Sequence, residues 1–337
     1  MKKNYAVLLV TVLLAVLTSC TGKSSGKANN DMVLTFVAST SGVHDSGYMQ
    51  AIHSAFQRWS KNHKDVKTVV IEPTKFGEGD QAYLDWKKSS VSNKESMIVM
   101  GGSEYLNLVL TQSADLKPNQ HVLVIESNEE QQFPKGVSSF YIKRKGASYL
   151  MGCLAKNYET PLVIAALEKE AILQSYIQAF AQGVKDASGH TPEVQYLSEG
   201  YDGFQMPEKA KEITEQHRNT FIYPLNGLSI KGIFSALNES KSSDKVVSVG
   251  LDMDCNPVSD RLVGSMVVNF DKVFDRVLGA WEKGEEIPVY FQGGMRDGYV
   301  DIILNDNYKT VNGISAADYK KIKEEYLEKA LQYEENL

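Results

Sequence analysis

Two carboxylates close an apolar run in VVSVGLDMDCNP, residues 246–257. The run reads as a buried parallel strand. The carboxyl end of such a strand is where open α/β sheets hold ligands. A calcium loop begins Asp-x-Asp-x-Asn, as Asp252, Asp254 and Asn256 do here. That loop then needs Gly at its sixth position and Glu at its twelfth, where this chain has Pro257 and Val263. Calcium is therefore not expected. As a binding group, Asp252 would accept hydrogen bonds from ligand hydroxyls. Asp254 also reads as the capping carboxylate of a solvated turn.

The same stretch is similar to the aspartyl-nucleophile motif of haloacid-dehalogenase phosphatases. That motif opens its domain and carries Thr or Val four residues after the first Asp. Here it comes late, and Asn256 stands at that place. Nothing else suggests catalysis. The chain has no His-Glu-x-x-His, no Gly-x-Ser-x-Gly and no Gly-x-Gly-x-x-Gly after a strand. Gly22-Lys23-Ser24 imitates the tail of a phosphate loop, but the upstream glycine falls at Leu17. The reading is a protein that is not an enzyme, without catalytic residues, metal or cofactor.

A second cluster lies in STSGVHDSGYMQA, residues 39–51. A Ser/Thr/Gly loop entering a helix points backbone N–H groups at a cleft. His44, Asp45 and Tyr48 would sit at its mouth, with Asp45 or Ser46 also available as helix cap. In SSFYIKRKGASYLMG, residues 138–152, Phe140 and Tyr141 close a strand. Successive strand residues face opposite sides, so one of them faces the cleft and the other the core. Lys143, Arg144 and Lys145 read as a solvated face.

The elements that position these residues alternate along the chain. Strand patterns such as MVLTFVAS, VKTVVIEP, SMIVMGG, HVLVIES and VSSFYIK are separated by helical patterns. In YMQAIHSAFQRWSKN, Ile52, Phe56 and Trp59 share one face. Ser103 is placed to cap the helix after SMIVMGG. The alternation restarts near Pro161 with PLVIAALE and runs to DGYVDIILND and a charged final helix. Two successive βαβ arrays imply two mostly parallel sheets, each flanked by helices. With 337 residues, 42% of them hydrophobic, the chain can fill two such cores. A net charge of −6 argues against nucleic acid.

Before the first strand, Lys2 and Lys3 precede an apolar run, Ala6 to Val16, too short to span a bilayer. This is a signal peptide, residues 1–19. Leu17-Thr18-Ser19-Cys20 resembles a bacterial lipobox. The resemblance implies cleavage before Cys20 and acylation of Cys20, with residues 20–30 as a flexible tether. The expected location is outside the cytoplasm, anchored by lipid to the cell membrane or outer membrane. Cys153 follows Gly152 in an apolar helix and reads as a buried thiol rather than half of a bridge with Cys255.

The ordered blocks, from residue 32 to about 306, resemble the basic membrane protein family of periplasmic-binding lipoproteins, the purine nucleoside receptors of bacterial ABC importers. IKRKGASYLMG is similar to the family's aromatic–Arg-x-x-Glu-Gly-Ser block, SVGLDMDCN to its IGVDSDQ, GSMVVNFD to its TSVVKRVD, and MRDGYVDI to its Lys-Asp-Gly-Gly-Val. The resemblance implies an α/β, two-lobed type I clamshell. Lobe one would take residues 31–142 plus 268–294, lobe two 143–267, and 295–337 the final crossing strand and helix. It implies a small ligand, a purine nucleoside, delivered to an ABC permease served by separate ATPase subunits, from a monomer with no nucleic-acid partner. A sensor of the same fold, or a receptor for another small polar ligand, stays open.

Carried over by motif, the ribose-binding aspartate falls on Asp252 and the ribose lysine on Asn269. The first-loop role falls on Asp45 and Tyr48, the base-stacking aromatic next to Tyr141, and the turn after the lobe-two strand on Asn226 and Gly227. The chain departs from the family pattern at Ile142 (aromatic), Gly146 (Glu) and Asn269 (Lys).

Overall fold

The computed structural model describes residues 32–335, apart from 41, 76, 90–93, 128–130 and 242. The signal peptide, Cys20 and the tether lie outside the described residues. The chain begins β1 (Met32–Val37), α1 (Tyr48–Asn62), β2 (Lys67–Ile71), α2 (Glu78–Lys88), β3 (Glu95–Met100), α3 (Leu106–Gln112), β4 (Gln120–Val124) and β5 (Val137–Ile142). It continues α4 (Lys145–Leu154), β6 (Leu162–Leu167), α5 (Ala171–Ser188), β7 (Glu193–Ser198), α6 (Pro207–Gln216), β8 (Asn219–Leu225), α7 (Ile230–Glu239), β9 (Lys245–Asp252) and β10 (Leu262–Val268). It ends α8 (Phe270–Lys283), β11 (Tyr290–Gly293), β12 (Val300–Leu304) and α9 (Ala316–Glu335).

Two six-stranded sheets result, in the orders β11-β5-β4-β3-β1-β2 and β12-β10-β9-β8-β6-β7. The two orders are the same pattern, so each strand of one lobe has a counterpart in the other. β4 is the counterpart of β9, and β3 of β8. All pairs in the first sheet are parallel. In the second, only β12 runs antiparallel, against β10. The fold is the two-lobed type I clamshell, with mostly parallel sheets flanked by helices.

Hydrophobic pattern explains most of it. β6 is buried along its whole length, as a strand covered on both faces must be. α1 buries Met49, Ile52, Phe56 and Trp59 along one stripe. Gly189 and Gly284 end α5 and α8 in left-handed conformations, at φ 77° and 68°. α4 crosses α5 with backbone nearly touching backbone, because Gly152 and Gly183 carry no Cβ. One built at Gly183 would lie 1.9 Å from the Tyr149 carbonyl oxygen.

β11, the segment YFQG, has no counterpart in the sequence reading. Four residues are too few for a periodic signal, and the strand is held by tertiary pairing with β5. Ser103 does not cap. It opens a short 3-10 turn with no side-chain cap bond.

The chain passes between sheets after β5, after β10 and after β11. These passages lie side by side: Lys143 N–H donates to the Gly293 carbonyl (2.8 Å) and Asn269 N–H to that of Tyr299 (2.9 Å). α9 lies over the first passage. A Cβ at Gly146 would stand 2.7 Å from the Ala330 carbonyl oxygen. Glu334 of α9 accepts from Met295 N–H at 2.8 Å, so its carboxylate sits against the passages where the family resemblance expects a glutamate at 146.

Candidate functional site

The site is built at the carboxyl ends of counterpart strands. β9 ends in Asp252, and the chain leaving β4 reaches Glu126 one residue past Ile125. Asp252 has a φ of 65°, and Met253 N–H closes a three-residue turn on the Leu251 carbonyl at 2.8 Å. Side chains rarely adopt this left-handed backbone, and Asp tolerates it better than most. Room for the turn comes from Gly250, where a Cβ would lie 2.5 Å from that of Cys255.

Arg144 lies between the two carboxylates. It was expected in a solvated face, yet only 5% of it is exposed. The chain passes from β5 into α4 at this residue, so its side chain folds back into the junction. Nη1 and Nη2 donate to the two oxygens of Glu126, at 2.9 and 3.1 Å. The guanidinium stands over the Tyr48 ring at 5.7 Å, and Nε is 3.6 Å from Asp252 Oδ1. Glu126 also accepts from Ile142 N–H (2.7 Å) and from the Tyr48 hydroxyl (3.0 Å). Burial opposes the arginine's charge, and Glu126, Tyr176 and Asp252 outweigh it, raising its pKa further.

Asp252 behaves differently. Its side chain is half-buried, with a fifth of its surface accessible. Burial pushes its pKa from 3.8 to about 6; Arg144 opposes the shift, and Asp45 and Glu126 add to it. Glu334, at the passages, rises to about 7, mainly through burial.

The structure brings together most of the sequence-predicted residues. Tyr48 touches Glu126 and Arg144. Tyr141 and Tyr176 face the same charges: burial raises both phenols' pKa values first, and both feel Arg144 and Glu126. Phe140 is the core member of its pair, packed on Phe270 and Phe291. Asp45 is 5% exposed and caps α1, accepting from the N–H groups of Gly47, Met49 and Gln50 at 2.9–3.0 Å.

Asn226 follows β8. β8 and β9 are parallel neighbours, so Asn226, one residue past the end of β8, and Asp252, the last residue of β9, both lie at the carboxyl edge of this sheet. Asn226 is 1% exposed, and neither its Oδ1 nor its Nδ2 has a hydrogen-bond partner. Gly227 beside it takes φ 54° against the Phe204 ring.

Asn269 stands apart, exposed, its Oδ1 accepting from Lys272 N–H at 3.1 Å as the cap of α8. Asp254 is also exposed and caps the next turn through Asn256 N–H at 3.0 Å. His44 is exposed, and its carbonyl accepts from Lys231 of lobe two at 2.7 Å across the mouth. Among the described residues the thiols of Cys153 and Cys255 are buried and free.

Sequence reasoning missed Glu126 and Arg144. Glu126 carried a usable signal, a carboxylate closing the apolar run HVLVIE just as Asp252 closes its own. Arg144 carried none, since a Lys-Arg-Lys run normally marks solvent. Two surface hollows of about 560 and 530 Å³ lie elsewhere, one beside Lys156 and Asp318, the other beside Val69 and Trp86. No sequence-predicted site residue lines either.

The fold is similar to that of an ABC transporter solute-binding protein from Aeropyrum pernix K1, at 14% identity, TM-score 0.70 and 90% of each chain covered. It is also similar to a transcriptional activator of the comK gene from Bacillus halodurans, at 16% identity and TM-score 0.66, covering 90% of this chain and 97% of that one. A galactofuranose binding protein matches at 14% identity and TM-score 0.58, covering 90% and 99%. These likenesses define the class by fold alone, a two-lobed type I clamshell. The chain belongs to the Bmp family of PnrA-like ABC transporter substrate-binding proteins, whose model matches residues 32–333. Membership implies a small-molecule ligand and a membrane permease as partners. No curated protein matches the chain.

Two outcomes follow from the buried charges. Glu126→Leu strands Arg144 and costs about 3–5 kcal/mol, whereas the double variant Glu126→Leu/Arg144→Met costs less than that single change. Urea unfolding of both variants checks this. Glu334 and Asp252 bind protons more tightly folded than unfolded, so their contribution to stability is fullest below about pH 4. It is lost as pH rises through about 6 for Asp252 and about 7 for Glu334. Glu334→Gln should shrink the fall in unfolding free energy between pH 5 and pH 8, by on the order of 3 kcal/mol at most.

Proposed function

We propose that this protein is a lipid-anchored receptor that captures a purine nucleoside between its lobes and hands it to an ABC permease. The observation that carries the reading is the placement of Asp252 and Asn226 at one sheet edge. A half-buried carboxylate of raised pKa and a buried amide without partners both stand at the carboxyl edge of the second sheet. Natural structures rarely leave a buried amide unsatisfied, and an unpaired one points to a missing partner. Hydroxyls donating to Asp252 and a base edge pairing with the amide would satisfy both groups.

In this reading Tyr48 and Tyr141 supply aromatic surface, Asp45 holds the first loop in shape, Gly227 keeps the turn beside Asn226 open, and Asn269 marks the rim. Residues 31–142 with 268–294 move as one lobe and 143–267 as the other, closing on ligand by hinge motion. The protein works as a monomer outside the cytoplasm, tethered through acylated Cys20.

The test is a thermal-shift panel on the full chain in detergent, with adenosine, guanosine, inosine, free bases, sugars and amino acids. A nucleoside at a hundredfold excess over Kd should add about 2.7 kcal/mol of stability, and Asp252→Ala should abolish the gain. A panel in which only another class acts overturns the nucleoside reading. Anchoring is read separately. Cells fed labelled palmitate should mark the wild-type chain and not Cys20→Ala, whose mature domain should leave the membrane fraction.

A further inference from the structure

Arg144 lies buried at the junction between the lobes, and its three donor nitrogens are used unequally. Nη1 is shared between Glu126 and the Ile142 carbonyl oxygen, and Nη2 goes to Glu126. Nε is buried and has no hydrogen-bond partner. At 3.6 Å, Asp252 Oδ1 is too far to accept from it and close enough to share a third group with it. A hydroxyl has what this gap requires: its oxygen accepts from Nε–H and its hydrogen donates to the carboxylate. A carbonyl or ether would satisfy the arginine alone, and an ammonium the aspartate alone. At the same carboxyl edge of the sheet, the Asn226 amide offers an unused donor and an unused acceptor, a second place for a hydroxyl.

The charges narrow the class further. Asp45 and Glu126 both act on Asp252, with Arg144 as the opposing guanidinium. Lys231, at the rim, is directed to the His44 carbonyl. A phosphate or carboxylate on the ligand would meet excess negative charge in a poorly solvated place. The lysine that the family resemblance expects near the ribose is Asn269 here, exposed and engaged as a helix cap. The cation beside Asp252 therefore comes from a different element, the passage between β5 and α4.

We propose that Arg144 and Asp252 together set the ligand class: a neutral compound with neighbouring hydroxyls, one of them held between Arg144 Nε and Asp252, with phosphorylated forms rejected. This rests on the binding site proposed above and does not depend on the base being a purine.

The test measures affinities of the full chain in detergent by titration calorimetry. The probes are adenosine, 2′-deoxyadenosine, 3′-deoxyadenosine, adenosine 5′-monophosphate, D-ribose and D-galactose. The expected result is that one of the deoxyadenosines, and the monophosphate, bind at least tenfold more weakly than adenosine. Arg144→Lys keeps the charge but not the Nε–H, and should bring the adenosine to deoxyadenosine ratio close to one. If Arg144→Lys does not fold, the analogue ratios on the unaltered chain decide. If free sugars bind and nucleosides do not, the nucleoside reading falls while the hydroxyl clamp stands. If both deoxyadenosines bind as well as adenosine, or the monophosphate binds better, the clamp is overturned and the receptor reading survives. No binding by any probe overturns the clamp as well.

Discussion

A single guanidinium held between two carboxylates from opposite lobes organises the centre of this protein. Glu126 and Asp252 end counterpart strands of two sheets built in the same order. Two carboxylates facing each other in a poorly solvated cleft would repel, and each would pay for lost hydration. Arg144 resolves the conflict unevenly. It gives both terminal nitrogens to Glu126 and leaves Asp252 at 3.6 Å. One lobe is thereby neutralised by the protein itself. The other keeps a carboxylate that the arginine approaches without a hydrogen bond.

That asymmetry suits a receptor. Closing two lobes around empty space would leave buried polar groups unpaired, which costs free energy and favours opening. A ligand that pairs them shifts the balance toward closure. The arginine sits where the chain passes from one lobe to the other, so its contacts report on both. Glu126 and Tyr48 belong to the first lobe, and Asp252 and Tyr176 to the second. Glu334, also beside the passages, adds a buried carboxylate that α9 delivers to a turn made of glycines. The interior of the hinge is therefore polar and charged, while the sheets around it are apolar.

The resemblance to nucleoside receptors gives ribose roles to both Asp252 and Asn269, and the structure places the two residues differently. A motif alignment transfers a role to a position in the chain. The structure then decides whether that position reaches the cleft. Asn269 is drawn into capping α8, because a short polar side chain preceding a helix finds an N–H of the first turn. Asp45 shows the intermediate case. It is buried, and its oxygens accept the backbone N–H groups of Gly47, Met49 and Gln50 where the loop enters α1.

Much of the architecture was legible in the linear chain. Apolar runs of strand length alternating with amphipathic helices dictate parallel sheets flanked by helices, and their restart at Pro161 divides the chain into two lobes. Asp252 was legible as well, because a carboxylate closing a buried strand must lie at the sheet edge. β11 was not, since four residues acquire strand character only from the neighbour they pair with. Arg144 was not, since a basic triplet looks the same whether it meets water or folds back into a hinge. The sequence by itself determined the fold class and the edge on which a site must lie, because those follow from periodicity and burial along contiguous segments. The tertiary structure alone decided the partner of each charge, because Glu126, Arg144 and Asp252 meet only once two sheets far apart in the chain are folded against each other.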